Sequence, residues 1–451
     1  MAETIPPACP APRTLDVTAI IDERSLSPFT IRLILLSWLI TFFDGFDMMM
    51  ISYTAPYMRT ELALDKVMLG NVFSAGLFGM LVGGLSFSYI GDIVGRRKTI
   101  VIAAFCFGVL TMLTAWAKTY EMLLMLRFLD GVAIGGMLPL AWALNIEFVP
   151  RRFRASVVTI IMIGYSLGSA VAGPLTVMVA PRFGWEGMFL LGGAGTLVIA
   201  VALLFLLPES VRFLASRGVR PHVTAATLNR LDPGLRASAD DRFVLSDERQ
   251  DIGTFTVGKL FDGQLRWITP LLWTACIAST LAIFFKANWT PLVYEDLSIA
   301  RSTAAYVASA AGLVGAILGL MLMRFTDRLG AATVAVYPVL AFPMLLIAGL
   351  LPMSQNMLIL FTATASALIS GAHFGILSIA GIYYPTAIRA NGAGWTTSIA
   401  KIGGVAGPFI GGYVLSSGLP VVRSYAILSI CPAVLAVSAM VIARLARHHD
   451  H

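Results

Sequence analysis

Runs of about twenty mostly apolar residues recur along the chain, separated by short polar stretches. A membrane-spanning helix needs ~20 such residues, so each run predicts one span. The one long polar stretch runs from residue 209 to residue 265 and divides the runs into two sets of six. The sequence therefore predicts an all-α membrane protein with twelve transmembrane helices. The predicted spans are 29–57, 67–90, 98–117, 120–145, 154–179, 187–208, 266–290, 303–323, 331–351, 355–383, 391–416 and 421–443.

The same pattern divides the chain into five segments. We expect a cytoplasmic N-terminal tail (1–28), a six-helix half (29–208), a cytoplasmic central loop (209–265), a second six-helix half (266–443) and a cytoplasmic tail (444–451). Short loops on the side of the termini carry more Lys and Arg than those opposite, which places both termini in the cytoplasm. The N-terminus has no charged-then-apolar leader, so we expect a multi-pass protein of a bacterial inner membrane without a signal peptide.

The two halves repeat each other weakly in sequence. Residue 326 follows residue 91 by 235 positions, and residue 385 follows residue 150 by the same number. Two halves related in this way place a substrate site between them, near the middle of the bilayer. The matching segments are 91–96 with 326–331, 150–155 with 385–390, and 170–174 with 404–408.

Composition excludes most other classes of protein. Hydrophobic residues make up 57% of the chain and charged residues 13%, whereas soluble domains carry roughly 25% charge. The net charge of +7 fits basic cytoplasmic loops, so we expect no nucleic-acid partner. Four scattered cysteines offer no metal or disulfide spacing. The chain also lacks catalytic and phosphate-binding motifs, so enzymatic activity is not predicted.

Three motifs carry a resemblance to a known family. The loop 91–98 reads Gly-Asp-Ile-Val-Gly-Arg-Arg-Lys and resembles the signature loop of the major facilitator superfamily. It departs at Ser88, where that pattern has a glycine, and at Ile93, where it has an arginine. Asp44-Gly45-Phe46-Asp47 in the first span resembles the aromatic acid:proton symporter family, and segment 208–214 also fits. The resemblance implies import of an aromatic carboxylate with protons by alternating access, with the proton gradient as energy source and no cofactor.

Charges inside predicted spans are candidates for proton coupling. A charge at the centre of a span costs roughly 2.5–3.5 kcal/mol on insertion scales, so it is functional by default. Asp44 and Asp47 are three residues apart and share one helix face. Arg127 and Asp130 form a similar pair in the fourth span. We predict proton coupling by Asp44, Asp47 and Asp130, with permanent ion pairs to buried bases as the alternative.

Three buried bases are candidates for binding a substrate carboxylate. Lys401, deep in the eleventh span, is preferred because an unpaired buried cation needs an anion. The resemblance implies an arginine near this position, so the lysine is a departure. Arg127 and Lys286 are the other candidates, although Lys286 lies near the end of its span and could extend to water. His373 could titrate or serve as an ordinary core residue. The remaining candidates for the substrate site are Phe46, Trp142, Tyr165, Asn288, Trp289 and Trp395.

Charged residues at the cytoplasmic helix ends are candidates for a gate. Links between them would close that side when the other side is open, and the resemblance implies this role for Asp92. The alternative is that these charges only set the topology. The predicted pairs are Asp92 with Arg96, Glu147 with Arg154, and Asp327 with Arg389.

Taken together, the sequence predicts a secondary transporter that imports a small organic anion, with an aromatic carboxylate favoured. The expected partners are that acid, protons and the lipid bilayer, and we expect a monomer. A carrier of a sugar acid or dicarboxylate, an exporter and a non-transporting sensor remain alternatives. Proton-coupled drug exporters carry Gly-Pro-x-x-Gly-Gly in their fifth span. Here that element lies at 407–412 in the eleventh span, while 173–178 in the fifth lacks it, which argues against export.

Overall fold

The computed structural model describes residues 13–232, 234–246, 256–385 and 388–447. The apolar runs form long helices, and several begin where a side chain satisfies a free backbone N–H of the first turn. Ser27 accepts from Thr30 N at 3.2 Å, and Asp65 accepts from Met68 N at 2.7 Å. The elements are β1 Thr14–Asp16, α1 Val17–Asp22, α2 Pro28–Glu61, α3 Lys66–Val94, α4 Arg96–Thr114, α5 Tyr120–Phe148, α6 Arg154–Leu206, α7 Val211–Arg217, α8 Pro221–Leu231, β2 Arg242–Val244, α9 Leu265–Asp296, α10 Arg301–Leu329, α11 Val336–Leu350, α12 Gln355–Tyr383, α13 Arg389–Ser416, α14 Arg423–Leu428 and α15 Ile430–Arg447.

Helix α6 contains two membrane crossings. The described chain has 11 helical segments long and apolar enough to cross a membrane, and α6 is one of them. It runs for 53 residues and breaks at Gly184, where φ is 68° and ψ is 179°. An unbroken helix of that length would extend ~80 Å, more than twice a bilayer core of ~30 Å. Counting α6 twice gives the twelve spans predicted.

The sequence repeat is visible in the backbone. Gly95 ends α3 with φ 112°, and Gly330 ends α10 with φ 78°, 235 positions later. Both conformations favour glycine because a side chain would be strained there. Arg154 Nε donates to Val149 O at 3.2 Å, and Arg389 Nε donates to Tyr384 O at 3.1 Å, again 235 positions apart. The two halves are therefore built on the same plan.

The halves pack against each other through α2 with α9, α3 with α13, and α6 with α10. The end of the bundle where α2 begins and α15 ends is called the terminal end below, and the opposite one the far end. At the far end, Asp296 accepts from Arg59 at 3.1 Å and pairs with Lys66 at 2.7 Å. Deeper in the bundle, Ser52 Oγ donates to Asn288 Oδ1 at 2.9 Å. The ion pairs of Asp296 thus join the halves at the far end.

The segment predicted as a central loop contains regular structure where it is described. It forms α7, α8 and β2, and β2 pairs in parallel with β1 from the N-terminal segment. Asp241 accepts from the backbone N–H of Ser238 at 2.8 Å and from that of Arg13 at 3.0 Å. These hydrogen bonds hold the pKa of the Asp241 carboxyl below its usual value. The N-terminal segment is thereby fastened to the segment between the halves.

Candidate functional site

A closed network of charges lies in the N-terminal half. Arg127 donates to both oxygens of Asp47, at 3.2 and 2.9 Å, and to Asp130 at 2.9 Å. Thr111 Oγ1 donates to the other Asp130 oxygen at 3.0 Å. Arg127, Asp47 and Asp130 are all buried. Two carboxylates thus surround one guanidinium and accept from three of its five N–H groups.

Asp44 is the exception among the acids of this region. Its side chain is 1% exposed, and neither carboxylate oxygen has a hydrogen-bond partner in the described structure. The charged groups that act on it are Asp47 from its own helix and Lys401 from the other half. The Lys401 ammonium lies beyond the 4.0 Å of an ion pair with Asp44. Asp44 is therefore buried, near a cation and without a direct partner.

The side chain of Lys401 extends from α13 toward α3. Its Nζ is 3.0 Å from the position that a Cβ on Gly84 would occupy, so it reaches across to the N-terminal half. Its side chain is partly buried and is not among the residues that line the large cavity described next. The base that the sequence favours for the substrate is thus beside Asp44, outside that cavity.

A cavity of about 400 Å³ lies between the halves. Helices α2 and α6 line it from one side, and α9, α10 and α12 from the other. Most of its lining is apolar, with Phe284 and Phe374 among the aromatic residues. The volume and the lining are typical of pockets for small molecules. Its polar groups include Tyr53, Tyr165, Lys286, Tyr294, Ser309 and His373.

Lys286 is the one Lys or Arg among the described residues that line this cavity, and none of them is acidic. The residue is 4% exposed, so its side chain does not extend to water as the sequence allowed. Its ammonium donates to Thr362 O and lies 6.0 Å from the centre of the Tyr425 ring. A carbonyl and an aromatic face stabilise a cation only partly. The geometry therefore provides a buried cation without an anion.

His373 lines the same cavity on α12. Its Nδ1 is 2.8 Å from Ser279 Oγ on α9, and Ser279 Oγ donates to Cys276 O at 3.0 Å. The Phe374 ring lies 6.2 Å away, measured between ring centres. Of the predicted substrate residues, Tyr165, Lys286 and His373 are brought together here.

The other predicted aromatic residues pack elsewhere. Phe46 is buried against Phe43, 6.4 Å away between ring centres. Trp289 Nε1 donates to Pro408 O at 3.0 Å. Trp395 is 39% exposed and stacks on Trp273. These three side chains lie on helix faces that point away from the cavity. They pack against other helices or face the exterior.

Two further candidates also lie outside the cavity. Trp142 packs beside a small apolar cluster that includes Val149 and Ile161. Asn288 is held by Ser52 and also donates to Phe284 O at 2.8 Å. Its amide therefore connects α2 to α9, one helix from each half.

The predicted gate is partly rearranged. Glu147 pairs with Arg96 and accepts from Ser210, and it is not paired with Arg154 as predicted. Arg154 instead donates to Val149 O and pairs with Asp22 at 3.8 Å. Asp92 lies 4.0 Å from Arg96, and its side chain is 72% exposed. Arg96 reaches Glu147 because α4 and α5 pack together, a contact that sequence spacing does not reveal.

The third predicted gate pair, Asp327 with Arg389 in the C-terminal half, is described in part. The Asp327 side chain lies outside the described residues. Arg389 donates to Tyr384 O, as its counterpart Arg154 does to Val149 O. This contact stabilises the turn that precedes α13.

Ser279 and Thr362 are site residues that were not predicted from the sequence, although the repeat points to them. Ser279 follows Asp44 by 235 positions, and Thr362 follows Arg127 by the same number. Adding 235 to the numbers of the buried charges Asp44 and Arg127 gives these two positions, which contact His373 and Lys286 respectively.

Comparison with known proteins agrees with this architecture. The sequence profile of the Major Facilitator Superfamily matches residues 37–408. The inward open structure of the xylose transporter XylE from E. coli superposes with a TM-score of 0.72 at 17% identity, covering 90% of this chain and 95% of that chain. The chain therefore belongs to the major facilitator superfamily of membrane transporters and is not an enzyme. The predicted fold class is confirmed.

Relatives of known function narrow the family. The chain is 32% identical to the 4-hydroxybenzoate transporter PcaK of Pseudomonas aeruginosa, over 98% of this chain and 99% of that protein. It is 32% identical to a gallate transporter of Pseudomonas putida, over 91% of each. It is 30% identical to a benzoate transport protein of Acinetobacter baylyi, over 94% of this chain and 92% of that protein. Within the superfamily it belongs to the aromatic acid:proton symporter family, as its first-span motif indicated.

Proposed function

We propose that this protein imports an aromatic carboxylate together with protons across a bacterial inner membrane, by alternating access. The relatives named above transport hydroxybenzoate, gallate and benzoate, which supports an aromatic acid as substrate. The observation that carries the proposal is the buried Lys286 ammonium, which faces a largely apolar cavity without a carboxylate partner.

Burial of an unpaired cation is unfavourable unless an anion arrives to neutralise it. A substrate carboxylate entering the cavity would do this. Apolar and aromatic walls would bury the ring, and an aromatic pair adds ~0.5–1.5 kcal/mol beyond the area buried. Arg127 is a poor competitor because its charge is already paired with Asp47 and Asp130. Lys401 remains the alternative anchor, in a conformation that would bring it to the substrate.

The proton is carried by a group separate from the substrate anchor. Asp44 is buried without a hydrogen bond, so holding it ionised is costly and protonation removes that cost. Asp47 and Asp130 are stabilised as carboxylates by Arg127. Proton exchange at Asp44 therefore requires less rearrangement than exchange at the other two acids.

The contacts between the halves support alternating access. Asp296 joins them at the far end through Arg59 and Lys66. With both termini in the cytoplasm, the far end is the periplasmic side, and the described conformation is closed there. Opening that end and closing the terminal end would carry the cavity from one side of the membrane to the other.

Binding of benzoate and benzamide to the purified protein tests the proposal. Charge-assisted hydrogen bonds contribute ~1.5–3 kcal/mol, so Lys286→Met should weaken benzoate by about 10- to 150-fold. Benzamide, which carries no charge, should bind weakly and respond far less. Lys401→Met is the matched control and should leave benzoate affinity within a few-fold of wild type.

Calorimetry provides the affinities, and thermal unfolding checks that each variant is folded. An equal loss for acid and amide would show that Lys286 acts through structure. A selective loss of benzoate in Lys401→Met would return the anchor to that residue. Stronger binding of a sugar acid than of benzoate would reject the aromatic substrate.

A further inference from the structure

The cavity has two polar ends with apolar walls between them. Lys286 lies at one end, where it contacts Thr362 O. Ser279 is seven residues before Lys286 on α9, which corresponds to roughly 10 Å along the helix axis. There Ser279 holds His373 from α12. On α12, Thr362 and His373 are eleven residues apart, roughly 16 Å along that axis, so the space between the two ends accepts an aromatic ring with a polar substituent on each side.

Ser279 lies between Cys276 and His373 and so bears on which nitrogen of the ring carries the proton. Its hydroxyl has a single proton and lies 3.0 Å from Cys276 O, which can only accept. With that proton on Cys276 O, the contact of 2.8 Å between Ser279 Oγ and His373 Nδ1 takes its proton from the histidine. In this arrangement of the neutral ring, Nδ1 is the donor and Nε2 carries a free lone pair.

His373 Nε2 has no hydrogen-bond partner among the described residues, and the ring lines the cavity. A ring nitrogen that accepts but does not donate favours a ligand group with a proton to give. A phenolic hydroxyl is such a group, whereas a carboxylate and an ether oxygen are not. The cavity therefore offers a cation for an acid at one end and an acceptor for a hydroxyl at the other.

We propose that His373 reads a ring hydroxyl: its Nε2 accepts the proton of a hydroxyl on an aromatic acid whose carboxylate is bound by Lys286. Ser279 is a positioning residue that fixes the tautomer. This inference rests on the proposed function, since it takes the location of the carboxylate from it. It predicts that the protein prefers hydroxylated aromatic acids to unsubstituted benzoate.

The test compares four ligands on the purified full-length protein: benzoate, 3-hydroxybenzoate, 4-hydroxybenzoate and 4-methoxybenzoate. A neutral hydrogen bond contributes a net ~0.5–1.5 kcal/mol, so at least one hydroxybenzoate should bind about 3- to 10-fold more tightly than benzoate. The methoxy acid should gain nothing, because it has no proton to donate. His373→Phe should abolish the preference, and His373→Gln should restore part of it through its amide oxygen.

Ser279→Ala provides a readout that a purely structural role would not give. Without the serine, His373 can place its proton on Nε2, so discrimination against the methoxy acid should shrink along with the preference for the hydroxyl. Ser378→Ala, on α12 with His373 but outside the cavity, is the matched control and should leave both unchanged.

The possible results separate this inference from the proposed function. If wild type binds benzoate as tightly as both hydroxybenzoates, or if His373→Phe weakens all four acids equally, the hydroxyl role is overturned and the aromatic substrate stands. If wild type binds none of the four acids, the proposed function itself fails.

Discussion

Asp44 and Asp47 are three residues apart on α2, yet their replacement by asparagine should have different consequences. Asp47 is held by two hydrogen bonds from Arg127, whereas Asp44 has none. Asp47→Asn removes a charge that the folded protein uses. Asp44→Asn replaces the carboxyl with a neutral group of the same shape, which resembles the protonated acid. We expect the first change to lower stability and the second to leave it unchanged.

The distances set the magnitude. At 2.9 Å and an effective dielectric constant of 20, the Arg127–Asp47 attraction is about 6 kcal/mol. Arg127 keeps Asp130 at 2.9 Å after the change, so the net loss is smaller. Breaking a buried pair costs ~3–5 kcal/mol, and we expect Asp47→Asn to fall in this range. Asp44→Asn should change stability by less than about 1 kcal/mol, since the amide replaces a group without partners.

Two assays separate the residues. Thermal unfolding of the purified variants reports stability, and proteoliposomes report transport, first with an imposed pH gradient and then as exchange without one. Asp44→Asn should unfold like wild type, lose gradient-driven accumulation and keep exchange, because it mimics a permanently protonated carrier. Asp47→Asn should unfold at a lower temperature and lose both activities. Normal accumulation by Asp44→Asn would refute the reasoning, and wild-type stability of Asp47→Asn would refute the magnitude.

Two further changes probe packing and the far end. Gly45→Ala places a Cβ 2.1 Å from Tyr165 O, so it should separate α2 from α6. Thermal unfolding should show a loss of stability of at least ~1–3 kcal/mol. Gly394→Ala, where a Cβ has nothing within 4 Å, is the control and should leave stability unchanged. Unchanged unfolding of both variants would mean that the helices adjust freely. Asp296→Asn removes the acceptor of two ion pairs, each contributing ~0.2–1 kcal/mol, and should shift the population toward an open far end about 2- to 30-fold. Faster alkylation of Thr290→Cys by an impermeant reagent added from that side would report the shift, and an unchanged rate would show that the ion pairs do not hold it closed.

The fold was predictable because the bilayer leaves the backbone few choices. Within a membrane, peptide groups must satisfy each other, so a run of ~20 apolar residues predicts a helix and little else. The tenth predicted span, 355–383, coincides with α12. Gly95 and Gly330 lie at matching positions of the sequence repeat, and both have a positive φ. The family followed from a short motif in the first span, and the relatives agree with it.

The partners of the buried side chains were not predictable in the same way. Depth in the membrane can be counted along one helix, but the direction of a side chain and the helix that faces it cannot. Lys401 was preferred for its depth, and it faces α3 and Asp44. Lys286 was a candidate for the substrate with extension to water as the alternative, and its ammonium lies beside Thr362 O. Glu147 pairs with Arg96, which is 51 positions away in sequence, and not with Arg154, which is nearer in sequence.

The repeat also indicates which half carries each set of functional side chains. Asp44 in the first half corresponds to Ser279 in the second, and Arg127 corresponds to Thr362. The acids therefore belong to one half, while the cavity cation and histidine belong to the other. Transport coupling requires that protonation at one site change the affinity at the other, and the effect is reciprocal.

Tyr165 lies between the two regions. It lines the cavity, its hydroxyl is acted on electrostatically by Asp44 and Asp47, and Gly45 packs directly on its backbone. A change of charge on α2 therefore acts on a side chain that faces the cavity, without Asp44 entering the cavity. For this reason we expect coupling to pass through the contact between α2 and α6, where little space separates the helices and a small shift of one must move the other.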